Sequence, residues 1–198
     1  MSLLHRLVMF ADAVFAIAIT ILAIELRPPH GAPGGLSAAL LAMWPKLLSF
    51  ALSFVVIAAV WLNHVRIARL LSGADRALTW MTLALLAGIA FLPFPTAVLG
   101  EAGAEPAAVV FYAGSVAAVA CLQGALWLLV RRRASLRRPD APESLLRTGI
   151  RRSFATAAVF AVSVPVAMVL PLAGMLLWAL TLPVLALIGR LPLTEPES

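Results

Sequence analysis

The sequence predicts an all-α integral membrane protein with six transmembrane helices per subunit. Three observations lead there. Apolar residues make up 63% of the 198-residue chain and charged residues only 12%, whereas soluble domains run near half apolar and a quarter charged. The apolar residues fall into long uncharged runs of the length a bilayer requires. The arginines lie in the gaps between those runs, which fits membrane topology better than a nucleic-acid surface.

The first run extends from about Leu4 to Leu26 and stops at Pro28 and Pro29. A Pro/Gly loop, His30 to Gly35, leads into the second, from about Leu36 to Ala68, which carries Pro45 near its start. The third covers about Leu78 to Leu99, the fourth about Ala107 to Val130, the fifth about Phe154 to Leu170 and the sixth about Leu172 to Ile188. The fifth and sixth almost touch at Pro171, which predicts a tight hairpin. The longest polar stretch is Arg131 to Arg152. No internal repeat is evident, and residues 1–198 read as one membrane domain. The apolar stretch after Arg6 is too long for a cleaved leader and has no small-x-small site behind it, so it is expected to be retained as the first helix.

Charge orients the runs. With the N-terminus inside, all but Arg27 and Lys46 of the 15 cationic residues fall on the inner side. The outer loop between the third and fourth runs holds Glu101 and Glu105 and no cation. Both termini are therefore expected in the cytoplasm, with the protein a multi-pass component of the cell (plasma) membrane. Lipid is a partner by necessity. Cys121 is the only cysteine, which rules out an intrachain disulfide, and inside an apolar run it is expected to pack as a small hydrophobe. The five tryptophans lie mostly toward run ends and suggest an interfacial belt.

No enzyme motif is present: there is no phosphate-binding glycine loop, no His-Glu-x-x-His and no Gly-x-Ser-x-Gly. His5, His30 and His64 lie in three separate segments, so no resident metal or cofactor is expected. The unusual element is the first run, where Asp12 sits more than a turn inside the apolar stretch. A carboxylate there needs a partner or water. At 100° per residue it lies well around the helix from Arg6, so a donor on a neighbouring helix is expected, with His64, Trp61 and Arg6 as candidates. Ile17, Thr20, Ile21 and Ile24 share one stripe of the same helix, flanked by alanines that allow close helix approach. From periodicity alone the stripe reads as a packing face.

The full pattern, Arg6-x-x-x-Phe10-Ala11-Asp12 followed by Ala-Val-Phe-Ala-Ile-Ala-Ile-Thr, resembles the Arg-x-x-x-Phe-Ser-Asp signature of the endolysosomal potassium channel family, in its single-repeat prokaryotic branch. Trp61-Leu-Asn-His64 and Ala90-Phe-Leu-Pro93-Phe94-Pro95-Thr96 follow in the expected order. The resemblance implies a homotetramer with a pore lined by four copies of helix one and no Thr-Val-Gly-Tyr-Gly filter, which this sequence also lacks. It implies that Ile17 forms the narrowest ring, a hydrophobic constriction, with Thr20 and Ile24 lining the pore beyond it and Ile21 on the same stripe. It further implies that Arg6, Phe10, Asp12, Trp61 and His64 form a supporting network, and that K+ is the permeant ion. Ala11 departs from the signature's serine. Glu25, at the outer end of the helix, is a candidate for concentrating cations at the mouth. A secondary transporter and a non-conducting scaffold are the readings from other classes; a transporter is disfavoured by the lack of repeats and of interrupted midplane helices.

Overall fold

A computed structural model describes residues 2–27, 35–181 and 184. Among them the chain is helical apart from short connections. Helix α1 (Leu3–Ile24) begins at Ser2, whose side chain accepts from the His5 amide, and ends at Glu25. Two helices fill the second apolar run: α2 (Gly35–Ala42) and α3 (Trp44–Leu70). The expected single helix is broken at Met43 because Pro45 lacks an N–H and is best placed in a first helical turn, which it takes in α3.

The third run is likewise two segments in line, α4 (Arg76–Phe91) and α5 (Pro93–Ala102). Pro93 opens the second, and at the junction the Leu92 amide bonds back only three residues, to Ile89. The interruption is a proline kink, since a proline breaks the helix ladder where it falls. Helix α6 (Pro106–Arg132) matches the fourth run with two residues more at its end.

Helix α7 (Glu143–Val169) starts eleven residues before the expected Phe154. The arginine-bearing stretch read as polar loop is therefore partly helix. Arg147, Arg151 and Arg152 ride on its first turns, and Glu143 at its start accepts from Arg131, Arg137 and Arg147. Helix α8 (Pro171–Leu177) and a 3-10 turn (Trp178–Leu180) follow. The expected hairpin at Pro171 is present. Gly174 lies so close to α7 that a Cβ there would come 2.7 Å from that of Ala167. Trp178 stacks on Phe160 and donates to Ser163 at 2.9 Å. Most of the expected sixth run beyond Thr181 lies outside the described residues, as does Pro28 to Gly34.

Five helical spans are long and apolar enough to cross a membrane: Leu3–Ile24, Trp44–Leu70, Arg76–Ala102, Pro106–Arg132 and Glu143–Val169. Large apolar side chains cover the outside of the bundle, including Leu41, Trp44, Trp80, Met168 and Val169. A surface of that kind is stable only against lipid or another protein. Cys121 is on this outside too, exposed rather than packed. Of the tryptophans, Trp44 and Trp80 fit an interfacial belt, whereas Trp127 and Trp178 are buried in the bundle.

Packing places α1 against α3, α4 and α5, while α6 bridges α4 and α5 to α7. The α6–α7 contact is the tightest, because a Cβ at Gly149 would lie 2.3 Å from the indole of Trp127. A polar knot holds α3, α5 and α6: Ser53 Oγ is hydrogen-bonded to Thr96 Oγ1 (2.7 Å) and Tyr112 Oη (2.9 Å), and Thr96 also donates to the Leu92 carbonyl. Without water to compete, such bonds join membrane helices. At one end of the bundle the α3–α4 loop pairs with the segment after α6, through Ser72 N–H to Leu136 O and Arg138 N–H to Leu70 O. An Asp75–Arg133 ion pair closes the same junction. At the opposite end Lys46 meets Glu101 at 3.4 Å.

Candidate functional site: the uncovered face of helix α1

Helix α1 has two unlike faces. Leu7, Ala11, Phe15, Ala18 and Leu22 repeat at three- and four-residue spacing and are buried against the rest of the bundle. The other face is uncovered: Ile17 and Ile24 are each 57% exposed, Ile21 36%, and Thr20, Ala13, Ala16 and Ala23 are exposed with them. The stripe singled out in the sequence is thus not this chain's own core. Within one subunit its packing face is the opposite side of the helix. Ala11, where the signature has serine, is fully buried in that core.

Thr20 is arranged for a particular chemistry. Its hydroxyl donates to the Ile17 carbonyl at 2.8 Å, as threonine does in helices when its hydroxyl turns back on the preceding turn. The proton is thereby directed inward along the backbone. The oxygen lone pairs remain on the uncovered side, free to accept from water or to contact a cation.

At the lower end of the same helix, Asp12 is met by Trp61, whose indole Nε1 donates to Asp12 Oδ1 at 2.9 Å. Of the three expected donors, this is the one in hydrogen-bond contact. His64, buried on α3, sits one turn further along, its ring 5.8 Å from that of Phe15. It shares with Asp12 the lining of a crevice of about 380 Å³ that also reaches His5 and Arg69. His64 Nδ1 has no hydrogen-bond partner among the described residues. Arg6 and Phe10 are exposed and do not join the Asp12–Trp61 pair. At the upper end Glu25 makes no ion pair among the described residues: Lys46 pairs with Glu101, and Arg27 donates to the Ile24 carbonyl.

Sequence reasoning passed over the Ser53–Thr96–Tyr112 knot. Thr96 stood in a recognised motif, but Ser53 and Tyr112 are 59 positions apart and no local pattern links them. It also passed over Gln123 and Ser153, polar residues buried among apolar ones on α6 and α7.

Comparison with known proteins bears directly on this face. The family model of the endosomal/lysosomal potassium channel TMEM175 matches residues 6–93, the stretch from Arg6 through Asp12, Trp61 and His64 to Pro93. A potassium channel of Chamaesiphon minutus is 41% identical over 128 residues, 62% of this chain and 63% of that protein. A potassium channel of Streptomyces collinus is 38% identical over 132 residues, 64% of each. The chain thus spans a little under two thirds of the length of these curated relatives. The fold carries further. The crystal structure of a lysosomal potassium-selective channel TMEM175 homolog from Chamaesiphon minutus superposes with a TM-score of 0.79 at 28% identity, over 94% of this chain and 98% of that one. A second potassium channel structure, in complex with a nanobody fusion protein, has a TM-score of 0.69 at 17% identity, a likeness of fold. The family is one of channels, not of enzymes. By sequence through residues 6–93 and by fold along nearly its whole length, the chain is similar to the family of the endosomal/lysosomal potassium channel TMEM175.

Proposed function

We propose that the protein is a K+-permeable cation channel of a prokaryotic cell membrane, a single six-helix domain that assembles as a homotetramer with four α1 helices around the pore. The observation that carries this reading is the uncovered stripe of α1. A helix whose outer face met only lipid would gain nothing from a row of alanines, a carboxylate near its middle, a hydroxyl in its last turns and a second carboxylate at its end. Small flanking residues allow four copies to approach closely, and closed rotational symmetry is the usual form of such assemblies. Relatives named as potassium channels support the choice of ion.

In this arrangement four Ile17 side chains converge on the axis. A ring of branched apolar groups excludes water and forms the barrier that a hydrated cation must cross. The next ring outward, Thr20, offers oxygens to a partly dehydrated ion. Potassium sheds water more readily than sodium, so a narrow, weakly polar passage favours it. Ile21 flanks these rings, Ile24 lines the wider outer part, and Glu25 draws cations to the mouth. The Arg6, Phe10, Asp12, Trp61 and His64 group anchors the inner end of α1 against α3 and neighbouring subunits. The termini are cytoplasmic on the positive-inside rule, and K+ is the permeant ion, with selectivity over other cations strong or weak.

Purified protein in planar bilayers tests the reading. Unitary K+ currents are expected. Slow, saturable flux without unitary steps would identify a transporter, and electrical silence a scaffold.

A further inference from the structure

A groove of about 680 Å³ runs along the outer side of α3, bounded by α6, α7 and α8. It is of a size that holds small amphiphiles. Its two ends differ in chemistry. Toward Leu48, Leu52, Val55 and Val56 the lining is aliphatic, while toward the other end stand Asn63, Arg66, Gln123, Arg152, Ser153 and Thr156. Gln123 is 1% exposed and Ser153 3% exposed. Neither amide atom of Gln123, nor the Ser153 hydroxyl, has a hydrogen-bond partner among the described residues. Buried polar groups are ordinarily paired, and leaving one unpaired costs about 1–3 kcal/mol. Unpaired amide and hydroxyl groups aimed into one groove therefore point to a polar ligand that completes them.

Depth suggests which part of a ligand goes where. Arg66 lies four residues before the end of α3, about 6 Å along the axis, and Gln123 nine residues before the end of α6, about 14 Å. Both helix ends are on the arginine-rich side of the bundle. Arg66 is thus at headgroup level and the neutral donors sit deeper, where ester groups lie, with the aliphatic lining beyond them; Arg152, which also lines the groove, lies at the deeper level and has contacts of its own.

We propose that this groove binds an anionic phospholipid of the adjoining leaflet, with its phosphate at Arg66, its ester carbonyls at the Gln123 amide and the Ser153 hydroxyl, and an acyl chain along the Leu48–Val56 face of α3. The site is separate from the α1 stripe and stands whether or not α1 lines a pore. Arg66 supplies charge preference, and Gln123 and Ser153 supply affinity common to any phospholipid.

The test is lipid retention by the intact purified protein in mild detergent, read by native mass spectrometry with phosphatidylglycerol or phosphatidylcholine of identical acyl chains. Wild type is expected to hold phosphatidylglycerol about tenfold more tightly, the factor a single charge-assisted contact confers. R66Q should abolish that preference while leaving phosphatidylcholine retention unchanged. Q123L should weaken both lipids alike. It replaces an unpaired amide with an apolar group of similar size, so the fold should be retained or made more stable. Ala59→Trp, which fills the groove without touching charge, should release both lipids. R132Q, which removes an exposed arginine at the end of α6, should change nothing. The proposal is overturned if wild type shows no preference, if Q123L and Ala59→Trp hold lipid as wild type does, or if R132Q lowers retention as much as R66Q.

Discussion

Asp12 and Trp61 meet through one charge-assisted hydrogen bond across α1 and α3. Polar contacts of this kind between membrane helices contribute about 1 kcal/mol each, enough to fix the rotation of α1 but not to hold the fold alone. Asp12→Asn keeps the shape and removes the charge, and Trp61→Phe keeps the ring and removes the donor. Both are expected to lower the thermal midpoint and the yield of assembled protein while leaving ion preference intact, as size-exclusion chromatography and reversal potentials would check. Changed ion preference in a normally assembled Asp12→Asn protein would instead place this carboxylate in the conduction path. Thr20 invites the converse experiment. Its hydroxyl bonds within its own helix, so Thr20→Val should leave stability nearly unchanged and reduce the preference for K+ over Na+ under bi-ionic conditions. At this scale the sequence was informative where a residue's chemistry was out of place, as with a carboxylate in an apolar run. It was silent where chemistry was ordinary. Nothing local tells that Cys121 faces outward, that Trp127 is buried, or that Ser53 finds Tyr112, because those outcomes depend on which helix arrives opposite.

At the scale of elements, hydrophobic runs forecast α1 and α6 to within a few residues, since a bilayer demands unbroken apolar length. The misses have definite causes. Pro45 converts one expected helix into α2 and α3. The start of helix α7 is hard to read because Arg147, Arg151 and Arg152 look like loop charge, whereas the first turns of a helix extending past the hydrocarbon region can carry them, with Glu143 as counter-ion to Arg147. The packing of α7 on α6 depends on Gly149. A side chain there would strike the buried ring of Trp127, and overpacking of a tight core costs about 1–3 kcal/mol. Gly149→Val is therefore expected to lower the thermal midpoint markedly, and the double variant with Trp127→Leu to recover part of the loss.

The start of α4 carries a pH dependence. The Leu78 amide donating to Asp75, with the Arg133 guanidinium beside it, holds that carboxyl below its usual range. A carboxyl lowered in the folded state adds stability above its unfolded pKa, about 4, and that stability is lost as pH falls through the lower folded value. The thermal midpoint should thus fall on acidification below about pH 4, and Asp75→Asn, which retains capping oxygen but cannot titrate, should flatten that part of the profile.

For the whole molecule, the decisive feature is that one subunit buries one face of α1 and leaves the other bare. In the proposed tetramer, four chains around an axis would bring their stripes of Ile17, Thr20, Ile21 and Ile24 together. The motif spacing pointed to that stripe, but spacing alone could not separate a core face from an uncovered one; the burial of Leu7, Phe15 and Leu22 on the opposite side does. If four Ile17 side chains form the constriction, polar atoms placed there must ease an ion through it. The most direct measurement is single-channel current and bi-ionic reversal potential of Ile17→Asn against wild type, on protein shown to be tetrameric by native mass spectrometry. The account predicts larger unitary current and weaker discrimination between K+ and Na+, with a smaller effect for Ile24→Asn. A tetrameric Ile17→Asn protein with wild-type current and wild-type reversal potential would contradict it.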